Sequence, residues 1–262
     1  MVNHIEFLGL GIELTVKRAI SVFGIDVYIY GIIIAIGLAL AFWYASREAK
    51  KMGIGNDDFL NMFIIGVPAA VVCARVYYVA FNWEDYSGDV LKMLNIRGGG
   101  IAIYGAVIGA ALTVLIYCRR KKINLGMVLD ILAVGLLIGQ AIGRWGNFVN
   151  GEAFGSATNL PWAMTVISDG VKIAENVHPT FLYESLWNAL GIIVMLFVKQ
   201  IRKAHGEVFC AYMAWYGFGR MFIEGLRADS LYIGVFRISQ IVAAVSVVLF
   251  TIILIRLRKK ST

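Results

Sequence analysis

The stretch MVLDILAVGLLIGQAIGRWGNFVNGEAFG, Met127 to Gly155, decides how the rest of the chain is read. Its first part is apolar over a length that crosses a hydrocarbon core of about 30 Å at 1.5 Å per residue. It ends in Arg144, Asn147, Asn150 and Glu152. Charged and amide side chains at the lip of an apolar segment must be paired or hydrated, and at membrane depth they usually mark a substrate path or reaction centre. The glycines at 143, 146, 151 and 155 let backbone bend and approach a ligand closely. The stretch reads as the wall of a site for an anionic lipid headgroup.

Composition extends this reading to the whole chain. Of 262 residues, 60% are hydrophobic and 16% charged, with a mean hydropathy of +0.76. A soluble domain carries about a quarter charged residues, so the expected class is an all-α, polytopic integral membrane protein. Seven apolar runs follow one another at 27–46, 59–81, 99–118, 127–147, 181–198, 207–226 and 235–255. Residues 1–26 mix apolar positions with Glu6, Glu13, Lys17 and Arg18, a pattern that predicts an amphipathic helix lying at the interface. No basic leader precedes a continuous apolar core there, so no cleaved signal peptide is expected. The expected organisation is that segment, a seven-helix domain over 27–258 with a long external loop at 148–180, and a basic tail at 259–262.

Charge sets the expected orientation. The connections after runs one, three, five and seven carry Arg47, Lys50 and Lys51; Arg119, Arg120, Lys121 and Lys122; Lys199, Arg202 and Lys203; and Arg256, Arg258, Lys259 and Lys260. The opposite connections hold Glu84, Asp85, Asp89, Asp169 and Glu175. Cytoplasmic loops are the basic ones, which predicts an external N-terminus and a cytoplasmic C-terminus. The net charge of +7 is therefore topological, and nucleic acid is not an expected partner. Cys73, Cys118 and Cys210 have no CxxC pairing, which supports neither a disulfide framework nor a zinc site.

With this orientation, the intramembrane polar residues fall in one leaflet. Tyr30, Arg75, Tyr104, Arg144, Asn147, Glu184, Arg220, Glu224 and Arg237 all lie in the outer half. Tyr216, Arg220 and Glu224 are spaced by four and Arg227 follows by three, which places them on one helical face. Alone, that face is equally an Arg–Glu ladder pinning one helix to its neighbours. Arginines at the same depth on other runs shift the balance towards an anion site, since a planar guanidinium takes two phosphate oxygens at once. Asn147 and Asn150 supply uncharged contacts or helix caps. Glu152 orients an arginine, acts as a base, or is a solvated loop residue. His178, ahead of Pro179, caps a helix or lies at the reaction centre. Gly105 with Gly109, and Gly135 with Gly139 and Gly143, recur every four residues and predict close helix packing. There is no GxSxG, HExxH or GxxxxGK[ST] motif, and no metal or cofactor is expected. An enzyme of these residues positions substrates, neutralises charge and moves protons, and its substrates bring their own nucleophile.

These residues resemble a known family. GRWGNFVNGEAFG, Gly143 to Gly155, is similar to the signature of prolipoprotein diacylglyceryl transferases, and the likeness covers nearly the whole chain. RGGGIAIYGAVIG, Arg97 to Gly109, resembles the family's glycine-rich third helix. His178-Pro179-Thr180 with Leu182-Tyr183-Glu184 resembles its HPxxLYE element, and Tyr216-Gly217 with Arg220, Glu224 and Arg227 its YGxxRxxxExxR pattern. The resemblance implies a multi-pass enzyme of the bacterial cytoplasmic membrane, active towards the outer leaflet. It would move the diacylglyceryl group of phosphatidylglycerol to the lipobox cysteine of a preprolipoprotein signal peptide, forming a thioether and releasing glycerol phosphate. It implies Tyr30, Arg75, Arg144, Asn147, Asn150, Glu152, Tyr216, Arg220 and Glu224 as site residues; Arg144, Glu152, Arg220, Tyr104 and His178 are expected nearest the chemistry, with Glu152, Tyr104 and His178 as candidate bases. One position departs from the pattern: many members have histidine where this chain has Tyr104. A phenol with a reference pKa of about 10 is a poor base at neutral pH unless cations depress it. Either Tyr104 orients substrate or histidine is dispensable to the chemistry. Oligomeric state has no signature in the sequence.

Overall fold

The computed structural model describes residues 2–96, 99–228, 232–233 and 236–260. Arg97 and Gly98 of the glycine-rich motif, residue 235 at the start of the seventh run, and tail residues 261 and 262 lie outside that set. The seven apolar runs are helices of 19 to 26 residues: α1 Ile29–Lys51, α2 Asn56–Phe81, α5 Ile103–Lys121, α6 Leu125–Asn150, α7 Thr180–Ile201, α8 Glu207–Leu226 and α9 Ile238–Lys260. Two short helices, α3 Trp83–Tyr86 and α4 Val90–Leu94, sit between α2 and α5. Among the described residues, six of the long helices are apolar enough to cross a membrane. The one below that mark is α8, into which Glu207, Arg220 and Glu224 introduce charge.

The expectation of an all-helical chain needs correction at the N-terminus. In place of an amphipathic helix over 1–26 there are four strands: β1 Val2–Phe7, β2 Ile12–Lys17, β3 Ala19–Val22 and β4 Ile25–Tyr28. The long connection 148–180 contributes two more, β5 Met164–Ser168 and β6 Val171–Val177, and a last short pair, β7 Tyr232–Ile233 and β8 Phe236–Arg237, precedes α9. The sheet order β2-β1-β5-β6 is antiparallel throughout, so the first residues of the chain pair with a hairpin about 160 positions later. The physical reason lies in β1, where Asn3, Ile5 and Phe7 are buried and the residues between them are not. That period of two belongs to a strand with one covered face. Ile5 and Phe7 pack with Met164, Val166, Val177 and Phe181 in one apolar cluster, each worth about 1.5–3 kcal/mol on burial. Asp169, at the β5–β6 turn, accepts from the Val2 amide at 2.8 Å and pairs with Arg18 at 2.5 Å. The Val2 bond, aided by Arg18, holds its carboxyl below the usual carboxylate range.

The chain divides into two compact units, Met1–Ala45 with Leu129–Thr262, and Ser46–Val128. In the second, α2 and α5 cross through glycine: a Cβ on Gly105 would meet the Cys73 carbonyl at 2.4 Å, and one on Gly109 the Ala69 carbonyl at 2.8 Å. Gly135, Gly139 and Gly143 of α6 are looser: Cβ atoms there would meet neighbours at 3.6 Å, nothing within 4 Å, and 3.4 Å respectively. In the first unit, α7 and α8 are clasped by Trp187 and Trp215, stacked at 4.2 Å, each indole N–H donating to the other's carbonyl at 3.1 and 3.2 Å. Gly191 and Gly219 leave room for these rings. At the start of α8, Asp130 accepts from the Gly206 and Phe209 amides and Glu207 from those of Lys203 and Ala204. Anchored there, α8 carries Arg220 and Glu224 at its far end. Cys73, Cys118 and Cys210 are free thiols.

Candidate active site

The site of the first unit is built outward from Glu184, one turn into α7. Thr180, fully buried, opens this helix and donates its hydroxyl to the Ala153 carbonyl at 2.6 Å. Ser185 ties α7 to α6 by donating to the Ala141 carbonyl at 2.8 Å and accepting from the Trp145 indole at 3.1 Å. These contacts bring Arg144 of α6 onto Glu184, with Nη2 2.5 Å from Oε2. The other carboxylate oxygen receives Arg220 Nη1 at 2.8 Å and Arg227 Nη1 at 3.5 Å. Arg220 Nη2 also pairs with Glu224 Oε2 at 2.5 Å, and Arg237 donates to the Glu224 carbonyl.

Among the described contacts, Arg144, Arg220 and Arg227 meet the carboxylates of Glu184 and Glu224. The glutamates are nearly inaccessible, at 4% and 3% side-chain exposure, while Arg144, Arg220 and Arg227 retain 23%, 19% and 12%. The anchoring charge is inside and the cationic groups reach the open side. Arginines held this way present donors to an incoming anion with little reorganisation.

A second branch leaves Arg144 through neutral groups. Its Nη1 donates to Asn147 Oδ1 at 3.2 Å, Asn147 Nδ2 donates to Glu152 Oε1 at 3.0 Å, and Asn150 Nδ2 reaches the same oxygen at 3.2 Å. The chain reverses at Gly151, whose φ of +66° suits glycine. A Cβ there would press on the Val166 side chain at 2.9 Å and on Asn3 at 3.0 Å. Glu152 is exposed and its hydrogen-bond partners are amides.

The remaining expected residues fall in three places. Tyr30 of α1 lays its ring over Gly146, where a Cβ would come within 2.7 Å, and Tyr216 of α8 lines a small cavity with Glu184 and Arg220. His178 has its ring engaged elsewhere, with Nδ1 3.3 Å from the Tyr183 hydroxyl, to which Trp162 donates at 2.7 Å. Its backbone brackets the chain at Gly155 and Ser156. Arg75 and Tyr104 belong to the second unit. There Arg75, 6% exposed, donates to the carbonyls of Lys92, Met93, Gly99 and Gly100 at 2.6–2.8 Å, and the Tyr86 ring lies 4.9 Å from its guanidinium carbon. Its donors are taken up by backbone, as in a structural arginine. Tyr104 is exposed and lies 6.4 Å from the Tyr77 ring. Among the described residues no group of His, Cys, Asp and Glu could hold a metal ion.

The family model for prolipoprotein diacylglyceryl transferase matches residues 17–256. The chain belongs to this family. It is 47% identical to the phosphatidylglycerol–prolipoprotein diacylglyceryl transferase of Clostridioides difficile strain 630 over 94% of its own length and 96% of that protein. It is 45% identical to the Finegoldia magna enzyme of the same name, over 93% and 96%, and 46% identical to that of Enterococcus faecalis, over 92% and 90%.

Two members of this charged cluster are not among the expected site residues, although both lie within the quoted motifs. Glu184, the last residue of HPTFLYE, is the hub on which three arginines meet. Arg227, last of the sixth-run motif, completes the cluster although it lies one residue beyond α8. The available signal was a carboxylate one turn into an otherwise apolar helix. Such a group is too costly to bury without cationic partners.

Proposed function

We propose that this membrane transferase moves the diacylglyceryl group of phosphatidylglycerol to the lipobox cysteine thiol of preprolipoproteins, the first step of lipoprotein maturation, in the bacterial cytoplasmic membrane. All seven long helices cross the bilayer, α8 included, because its charged face is paired inward on Glu184. The N-terminus is external, the C-terminus cytoplasmic, and the site opens to the outer leaflet. In this reading the sheet of β1, β2, β5 and β6 lies outside, next to the site.

The observation that carries the reading is the meeting of Arg144, Arg220 and Arg227 on one buried carboxylate. Their outward donors take the phosphodiester oxygens of the lipid, with Asn147 and Asn150 beside it and Tyr30 and Tyr216 bounding the headgroup. Glu224 fixes Arg220. Arg75 serves by holding Lys92, Met93, Gly99 and Gly100, and Tyr104 and His178 serve by position. Glu152 is the proton acceptor: Glu184 and Glu224 are neutralised by guanidiniums, whereas Glu152 is held by amides and stays open to solvent.

The thiol, with a reference pKa of about 8.5, becomes nucleophilic as nearby arginines favour the thiolate. Its proton passes to Glu152. The sulfur attacks the glyceryl carbon bonded to the phosphate oxygen; a C–S bond forms, the C–O bond breaks, and its electron pair leaves with glycerol phosphate. Negative charge accumulates on the departing oxygens, where the arginine donors are already aimed, and removal of one such donor costs about 3 kcal/mol in barrier.

Purified protein in proteoliposomes, given labelled phosphatidylglycerol and a lipobox peptide, should yield a thioether-linked diacylglyceryl peptide. Arg144→Ala should slow this about a hundredfold. Headgroup binding without product would reduce the protein to a lipid-binding role.

A further inference from the structure

One helical turn beyond Glu184 on the same face of α7 lies Asn188, 2% exposed, whose amide oxygen has no hydrogen-bond partner among the described residues. A buried acceptor in that condition is costly, which makes it informative about what it receives. It borders the cavity that Glu184, Tyr216 and Arg220 also line. The space there, about 10 Å³ for a water centre, is that of a single hydroxyl. Gly219 and Trp187, which is stacked on Trp215, wall the cavity between α7 and α8.

The lining selects the chemistry of the occupant. A neutral carbonyl needs a donor, and Arg220 in the wall, with Arg144 and Arg227 on the same Glu184, disfavours a cationic one. An O–H group remains. The headgroup glycerol of phosphatidylglycerol carries two hydroxyls on a three-carbon chain, and such a chain spans about one helical turn, roughly 5 Å, from the phosphate.

We propose that Asn188 is a specificity-determining residue: its buried amide oxygen accepts a hydroxyl of the headgroup glycerol while Arg144 and Arg220 hold the phosphate. The inference rests on the phosphate assignment above. It distinguishes a glycerol headgroup from one of equal charge without hydroxyls.

The test compares phosphatidylglycerol with phosphatidylethanol, an anionic phosphodiester lacking a free hydroxyl, using the full-length protein in proteoliposomes with a lipobox peptide. The wild type should favour phosphatidylglycerol about tenfold. Asn188→Leu, close in volume but without the acceptor, should lose about tenfold on phosphatidylglycerol and nothing on phosphatidylethanol. Equal losses on both lipids would mean that Asn188 holds a water or the helix packing, and would overturn the proposal, as would an unchanged phosphatidylglycerol rate. Should the variant fail to fold, inhibition of the wild type decides: glycerol phosphate should inhibit several-fold more tightly than ethyl phosphate, and equal inhibition overturns the inference. A wild type that makes no thioether from either lipid would instead refute the function itself.

Discussion

Replacing Glu184 by glutamine keeps the shape of the hub and removes its charge. In the native site one oxygen meets Arg144 at 2.5 Å and the other meets Arg220 at 2.8 Å and Arg227 at 3.5 Å. Glutamine keeps a single acceptor and turns an N–H₂ group towards one of the arginines. At an effective dielectric near 20, unit charges about 4 Å apart interact by roughly 4 kcal/mol. Removing one partner of a buried pair costs about 3–5 kcal/mol, because the other charge is left without a counter-ion. The arginines keep some solvent contact and relax outward, so the lower end applies, about 3 kcal/mol. For a chain of this size that lowers the melting temperature by roughly 6–12 °C. Relaxation also turns Arg144 and Arg220 away from the phosphate position, and transfer should fall at least a hundredfold. Thermal unfolding by tryptophan fluorescence in detergent and mass-spectrometric counting of thioether product measure the two effects. Glu184→Gln with an unshifted melting temperature and a transfer rate close to wild type would show that the carboxylate organises nothing.

Other positions separate structural from catalytic roles. Arg75→Ala leaves the carbonyls of Lys92, Met93, Gly99 and Gly100 without their donor, so limited proteolysis between residues 88 and 96 should accelerate, while transfer falls less than in Arg144→Ala. Gly219→Ala would place a Cβ 2.1 Å from the Trp187 indole nitrogen and should destabilise by about 1–3 kcal/mol. Gly139→Ala, with nothing within 4 Å, should be neutral or slightly stabilising in the same melting assay. Asp169 has its pKa lowered by the Val2 amide and Arg18. A depressed carboxylate stabilises the fold above its unfolded-state pKa of about 4 and loses that contribution as pH falls through the lower folded value. Hydrogen exchange of the β1 and β5 amides should therefore quicken as pH falls through that window, after correction for intrinsic rates, and Asp169→Asn should show the quickened exchange already at neutral pH.

The helices were readable because length and hydropathy dictate a bilayer span with no knowledge of partners. The strands were not. In 1–26 the acidic and basic residues suggested an amphipathic helix, and the period of two in β1 acquires meaning only beside β5, which lies about 160 residues away. Of the expected residues, Arg144, Asn147, Asn150, Glu152, Arg220 and Glu224 join one network through Glu184. What sequence could not supply is direction. Arg75 shares a predicted depth with Arg144, yet depth along a helix says nothing of where a guanidinium points, and its donors turn to backbone carbonyls. Glu184 drew notice as a charge in an apolar helix, but its role as the shared anion depends on three arginines arriving from α6, α8 and the residue after α8. Asn188 left no trace in the sequence, because an unsatisfied acceptor is visible only once its surroundings are built.

The most direct test of the central claim is a structure of the transferase with phosphatidylglycerol bound. The account predicts the phosphate within hydrogen-bonding distance, about 2.7–3.2 Å, of guanidinium nitrogens of both Arg144 and Arg220, with the headgroup glycerol turned towards Asn188. A phosphate seated away from both arginines would contradict it.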